Sequence, residues 1–365
     1  MRHFVVLLCM VVISGASFAE ELFVESSLEV AENHKVYYRH HPAQAGEPTI
    51  VLMNGLIYDI ENWDEFFGEL VSRGFGVLQL AYSTQPESLR LLEPGTTPYY
   101  AETRFTFQGP RQSGLEIQTF VDETMAVIDA LGIQRFNLLA LSYGSIPGGA
   151  LASQYADRID NLILSAPAVM ASHRYNPYGA SRHALYNALP RIEYWEYLYD
   201  AELYNTMLPL IMGQGRPADV EFMDFFHGVY QMARSSKWFD LKDMAEVELP
   251  PTHLFLASRE DPPLYQDQIR FWELMDNNTA KGSMILFEGA PHALPGVVPE
   301  EVAEQTEKLI RGEARDRETV VGVNEGHMNT SASESDELAA FRLTEKAVGI
   351  TNQCARILSG EGQAE

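Results

Sequence analysis

Cysteine is nearly absent from this chain: Cys9 and Cys354 are the only two in 365 residues. Cys9 falls in an N-terminal segment expected to be removed, so no intramolecular disulfide is expected in the mature protein. Basic residues are also scarce. There are 26 against 51 acidic ones, a formal net charge of −25. Nucleic acid is excluded as an expected partner, because its phosphates would be repelled. No Gly-x-Gly-x-x-Gly loop for a dinucleotide occurs, and no metal-ligand cluster either. His40-His41 is a pair without further ligands nearby, and a solvated strand end accounts for it. No cofactor and no metal are therefore expected. A membrane span needs ~20 apolar residues, and the apolar run Phe4–Ile13 has ten.

That run has a different reading. Arg2 precedes it, and Ser17 and Ala19 are small residues at positions −3 and −1 of a cleavage after Ala19. This is the pattern of a secretory signal peptide. Residues 1–19 are expected to be removed, and the mature protein to be periplasmic or secreted, with no membrane span. An exported protein without disulfides suits a bacterial periplasm or medium.

At 46% hydrophobic composition the chain can bury one large core. Strand-like and helix-like segments alternate, which predicts an α/β class with a mostly parallel sheet. An entry hairpin is expected over 22–40. Thr49–Met53 is a compact apolar run, as are 77–80, 136–141, 161–165, 252–257 and 283–287. Such runs suit strands buried on both faces. Helical spacing links Trp63, Phe66, Phe67 and Leu70, and then Phe120, Met125, Ile128 and Leu131 up to Gly132. Residues 82–112 are rich in Pro and Gly, a long loop of the kind that is usually functional or mobile. Between 168 and 248 the rhythm breaks into helical, aromatic-rich sequence, including Trp195, Phe225 and Trp238. The expected organisation is a core of 20–167 and 249–312, a helical cap of 168–248 and a tail of 313–365. The tail is read as polar and loose to about 335. A short amphipathic helix then carries Leu343, Ala347, Ile350, Cys354 and Ile357.

The chemistry is concentrated in Leu138-Leu-Ala-Leu-Ser142-Tyr143-Gly144-Ser145. A buried strand runs into a serine whose neighbours at −2 and +2, Ala140 and Gly144, are small, and a helix follows. This is the form of a nucleophile elbow, in which a tight turn leaves no room for larger flanking side chains. Ser142 is the expected nucleophile. A serine hydroxyl needs a base, and the chain order in such elbows is Ser, acid, His. Of ten histidines, only His292 lies in the loop between the last predicted strand and the last predicted helix. His253 is on a strand and is expected to pack. His173, His183 and His227 fall in the cap. The acid belongs at the end of the preceding strand, where Asp261 before Pro262 is the choice, and the adjacent Glu260 is able to substitute. Its role is to hold the imidazole tautomer and stabilise the imidazolium. The amides of Leu56, after Asn54-Gly55, and of Tyr143 are assigned to an oxyanion hole.

These features together resemble the α/β-hydrolase superfamily over roughly residues 30–312. The resemblance implies an α/β-hydrolase fold, with helices on both faces of the sheet and an inserted cap. It also implies a serine hydrolase acting on a carboxylic ester of a small-molecule or lipid-like acyl substrate. Asn54-Gly55 is similar to the rhamnolipid-pathway acyltransferase type. Ser142-Tyr-Gly-Ser145 resembles peptidases of the proline-iminopeptidase type, which carry a His-Gly-Gly-Pro-Gly loop that this chain lacks. An acyltransferase or an exopeptidase is accordingly an alternative. For the latter, Glu193, Glu196 and Glu202 in the cap would hold a substrate ammonium. A binding module that kept the fold without catalysis is the third reading.

Overall fold

The computed structural model describes residues 22–58, 60–100, 115–168, 219–236, 241–260, 262–313 and 317–323. The expected signal peptide, most of the expected cap, Asp261 and the expected tail helix lie outside the described residues.

Among the described residues nine strands form one sheet: β1 (Val24–Ala31), β2 (His34–His41), β3 (Thr49–Met53), β4 (Gly76–Ala81), β5 (Phe136–Leu141), β6 (Ile159–Ser165), β7 (Thr252–Ala257), β8 (Lys281–Glu288) and β9 (Glu318–Gly322). Their order is β1-β2-β4-β3-β5-β6-β7-β8-β9. β1, β2 and β4 pair antiparallel, and every pairing from β4 onward is parallel. The β1–β2 hairpin turns through Asn33 at φ 56°, a left-handed position that asparagine tolerates.

The apolar runs alternate between two cores. Val51, Leu78, Leu138, Leu162 and Leu254 join one cluster, while Ile50, Val77, Leu139, Ile163 and Phe255 join the other. Successive strand side chains point to opposite faces, so a strand covered on both sides must be apolar throughout. On the first face lie α2 (Ile117–Ala130) and α3 (Ser145–Gln154), contributing Phe120, Ile128, Ile146 and Leu151. On the second lie α1 (Asp64–Ser72) and α7 (Pro299–Ile310), contributing Phe66, Phe67, Leu70 and Val302. Between β6 and β7 the described residues form α4 (Phe222–Ser235) and α5 (Leu241–Glu246), and α6 (Pro262–Leu274) follows β7. α4 buries Phe225, Phe226, Val229 and Met232 in the first cluster, and this part of the expected cap is packed onto the core.

One expectation is corrected here. Residues 318–322, read as loose tail, are β9, parallel to β8 and at the edge of the sheet among the described residues. Val321 and Val323 pack against the second core, whereas Val320 faces solvent. Five residues of one-sided alternation between polar stretches supply little apolar signal, and pairing with β8 provides what the composition lacks.

Candidate active site

In parallel α/β sheets, sites form at the carboxyl ends of the strands. Ser142 follows the last residue of β5, Glu260 lies three residues past β7, and His292 lies four past β8.

Ser142 has φ 51°. A non-glycine residue in the left-handed region costs of order 1–3 kcal/mol and persists only where the surroundings enforce it. Here they do. A Cβ on Gly144 would stand 2.6 Å from the Asn54 carbonyl oxygen and 2.7 Å from that of Met53. The start of the helix is thus pressed onto the end of β3, and only glycine fits. One turn later a Cβ on Gly148 would stand 2.9 Å from Ala140 Cβ, so the alanine at −2 is accommodated by a glycine facing it. The Ser142 carbonyl accepts from the amides of Ser145 and Ala168, the latter at 3.0 Å. The side chain of Ser142 is left half-buried at the carboxyl edge of the sheet.

Among the described residues, Glu260 brings a carboxylate to the imidazole. His292 Nδ1 lies 2.6 Å from Glu260 Oε2, and the Glu260 side chain is fully buried while that of His292 is 21% exposed. With the carboxylate oxygen as acceptor, Nδ1 is the donor of this pair, the tautomer that leaves the base role to Nε2. Asp261, the first choice from sequence, lies outside the described residues. The chain order left Glu260 and Asp261 open; the turn after β7 directs Glu260 inward.

A further residue joins the two halves. Gln268 on α6 is fully buried. Its Nε2 donates to the Pro167 carbonyl at 3.0 Å and toward Glu260 Oε2 at 3.4 Å. The Pro167–Ala168 peptide is the same unit whose N–H binds the Ser142 carbonyl. One peptide and one carboxamide therefore connect the elbow to the Glu260–His292 pair. Nothing in the sequence marked Gln268, because a buried glutamine on an amphipathic helix reads as a surface residue.

Leu56 belongs to the loop after β3, and Tyr143 follows Ser142 in the chain. A Cβ on Gly55 would be 3.5 Å from Ser142 Cβ, which places the 54–58 loop against the serine. Tyr143 is buried, and its hydroxyl lies 2.6 Å from Ser235 Oγ of α4. Burial pushes the phenol well above its ordinary range, so it stays protonated. The hydrogen bond fastens α4 to the elbow.

The other histidines fall elsewhere. His253 bridges strands: its Nδ1 accepts from the Ser283 amide at 3.0 Å, and its Nε2 is 3.3 Å from Asn161 Oδ1. His41 Nδ1 meets the Leu22 carbonyl oxygen at 2.8 Å. His227 is on α4, beside Phe226. His173, His183, Glu193, Glu196 and Glu202 lie outside the described residues. Among the described residues no group of His, Cys, Asp and Glu side chains could hold a metal ion. No helix among them is long and apolar enough to cross a membrane.

A family model described as the alpha/beta hydrolase fold matches residues 48–213. Solved structures give the same picture. An epoxide hydrolase from Vigna radiata is 15% identical, with a TM-score of 0.53 over 80% of this chain and 99% of the other. A bromoperoxidase from Bacillus anthracis is 16% identical, with a TM-score of 0.51 over 80% and 100%. A hydrolase from Pseudomonas aeruginosa PA01 is 18% identical, with a TM-score of 0.50 over 79% and 98%. At these identities the likeness is one of fold. No curated protein sequence matches the chain significantly.

Proposed function

Taking as premise that the chain belongs to the α/β-hydrolase superfamily and is an enzyme of that fold, we propose that it is a serine hydrolase that cleaves a carboxylic ester through an acyl-enzyme, with Ser142 as nucleophile, His292 as base and Glu260, in place of Asp261, as the acid. The observation that carries this reading is the strained Ser142 backbone, tied through a single peptide and Gln268 to the His292–Glu260 pair.

The steps follow from the groups present. Ser142 Oγ attacks the ester carbonyl as its proton passes to His292 Nε2. The carbonyl oxygen becomes an oxyanion held by the Leu56 and Tyr143 amides. The C–O bond to the alcohol breaks, and the imidazolium returns the proton to the departing oxygen. Water then attacks the acyl-enzyme, giving its proton to His292, and collapse of the second tetrahedral species frees the acid and restores Ser142. Glu260 stays ionised and offsets the imidazolium charge. The triad calls on no cofactor or metal. The aromatic-rich sequence of 168–248 favours an apolar acyl group, by the general preference of ligand pockets. The N-terminal pattern supports export with cleavage after Ala19.

Ser142→Ala is the test. Turnover of short p-nitrophenyl esters should fall by about 10⁴-fold or more, and a fluorophosphonate should label the parent protein and not the variant. Undiminished ester turnover by Ser142→Ala would remove the serine from the mechanism. Parent protein that cleaves aminoacyl-p-nitroanilides and leaves esters intact would move the reading to a peptidase.

A further inference from the structure

We infer that Gln85 is a positioning residue that sets the oxyanion hole from behind, acting on the peptide that carries the Leu56 amide. The inference rests on the proposal that Leu56 N–H is one of the two oxyanion donors.

Gln85 lies beyond β4, in the Pro- and Gly-rich stretch, and is 2% exposed. A primary amide offers two N–H donors and two lone pairs, and here all four are engaged. Oε1 accepts from the Tyr82 amide at 2.9 Å and from Asn54 Nδ2 at 3.2 Å. Nε2 donates to the Gly55 carbonyl at 3.2 Å and to the Tyr58 carbonyl at 3.4 Å. Asn54 Nδ2 also donates to the Leu80 carbonyl at 3.2 Å. The carboxamide thus reaches three residues of the 54–58 loop from the end of β4.

The contact with Gly55 has a chemical consequence. The Gly55 carbonyl and the Leu56 N–H belong to one planar trans peptide, whose oxygen and hydrogen point in opposite directions. Holding the oxygen therefore aims the N–H away from Gln85. A hydrogen bond to the carbonyl also polarises the peptide and strengthens its N–H as a donor. Preorganised donors of this kind act when negative charge develops on the substrate oxygen. A pure packing role would be met by methionine or leucine at similar volume, without the desolvation of a buried carboxamide. A neutral donor is also the suitable group behind the hole, since a carboxylate there would oppose the oxyanion.

Gln85→Met removes all four hydrogen bonds at nearly constant volume. Gln85→Glu keeps the two acceptors and removes the donor to Gly55. For each folded variant we expect kcat on a p-nitrophenyl ester to fall by about 10- to 100-fold, below the range for deleting a whole oxyanion donor. KM should stay within about 2-fold, on the rule that an interaction made only in the transition state leaves ground-state binding alone. Affinity for an alkyl boronic acid, which forms a tetrahedral adduct in the hole, should weaken by the same factor as kcat. The acidic limb of the kcat/KM pH profile should not move, because the His292–Glu260 pair is untouched. Folded variants with parental kcat and boronate affinity would overturn the inference. So would a shifted acidic limb, or failure of both variants to fold, either of which would assign Gln85 to the base or to the scaffold. Ser142→Ala run alongside separates the two claims: retained turnover there defeats the serine mechanism, whereas an inactive Ser142→Ala beside a parental Gln85→Met defeats only the role of Gln85.

Discussion

Around Ser142 the decisive contacts run between backbone and backbone. The helix start leans on β3 at Gly144, Gly148 faces Ala140, and the Ser142 carbonyl is held by main-chain amides. Around His292 they run between side chains, from the imidazole to Glu260 to Gln268. The first region is shaped by volume and the second by polarity. A steric fit responds to one added methyl group, while a hydrogen-bonded charge responds to the loss of a charge or donor and little to size.

The largest expected effect tests the polar half. Glu260→Gln should keep the shape of the pair but lower kcat by about 10³- to 10⁴-fold, the scale seen when a triad acid becomes an amide. Asp261→Asn should change kcat by less than about 5-fold, as expected of a group outside the triad. Steady-state ester kinetics on both variants decides which carboxylate serves His292, and a reversed ranking would return the role to Asp261. The steric half is tested by Gly148→Ala, which should cost about 1–3 kcal/mol by overpacking against Ala140. Adding Ala140→Gly should recover about 1 kcal/mol or more, a coupling readable in a urea-denaturation double-mutant cycle. Additive losses would mean that the two residues do not share that space. The smallest effect concerns the sheet edge. Arg317 O and Val323 N bond to β8, so the odd-numbered residues of β9 face it. Val321→Pro should cost about 1 kcal/mol in chemical denaturation through a lost ladder bond, and Val320→Pro, whose N–H faces outward, less than about 0.5.

The same contrast explains what could be read without coordinates. The buried strands announce themselves as apolar runs, and the elbow does so because crowding restricts Ala140 and Gly144 to small residues. His292 stands out by chain order. The choice between Glu260 and Asp261 is not encoded locally, since a turn that rotates by one residue presents either carboxylate. Gln85 and Gln268 carry no periodic or motif signal, and their importance arises from partners up to 101 residues away. β9 was hidden for a related reason, its edge position requiring only a half-apolar strand.

That added strand changes which part of the sheet is exposed to fraying. Terminal ribbons open most easily, and among the described residues the terminal ribbon on the β8 side is β9. Val323 N, at its far end, is hydrogen-bonded to Glu288 O, the last residue before the loop that bears the imidazole. β8 is flanked by β7 and β9, so a strand that frays at this rim lies one strand away from the one that leads into the His292 loop.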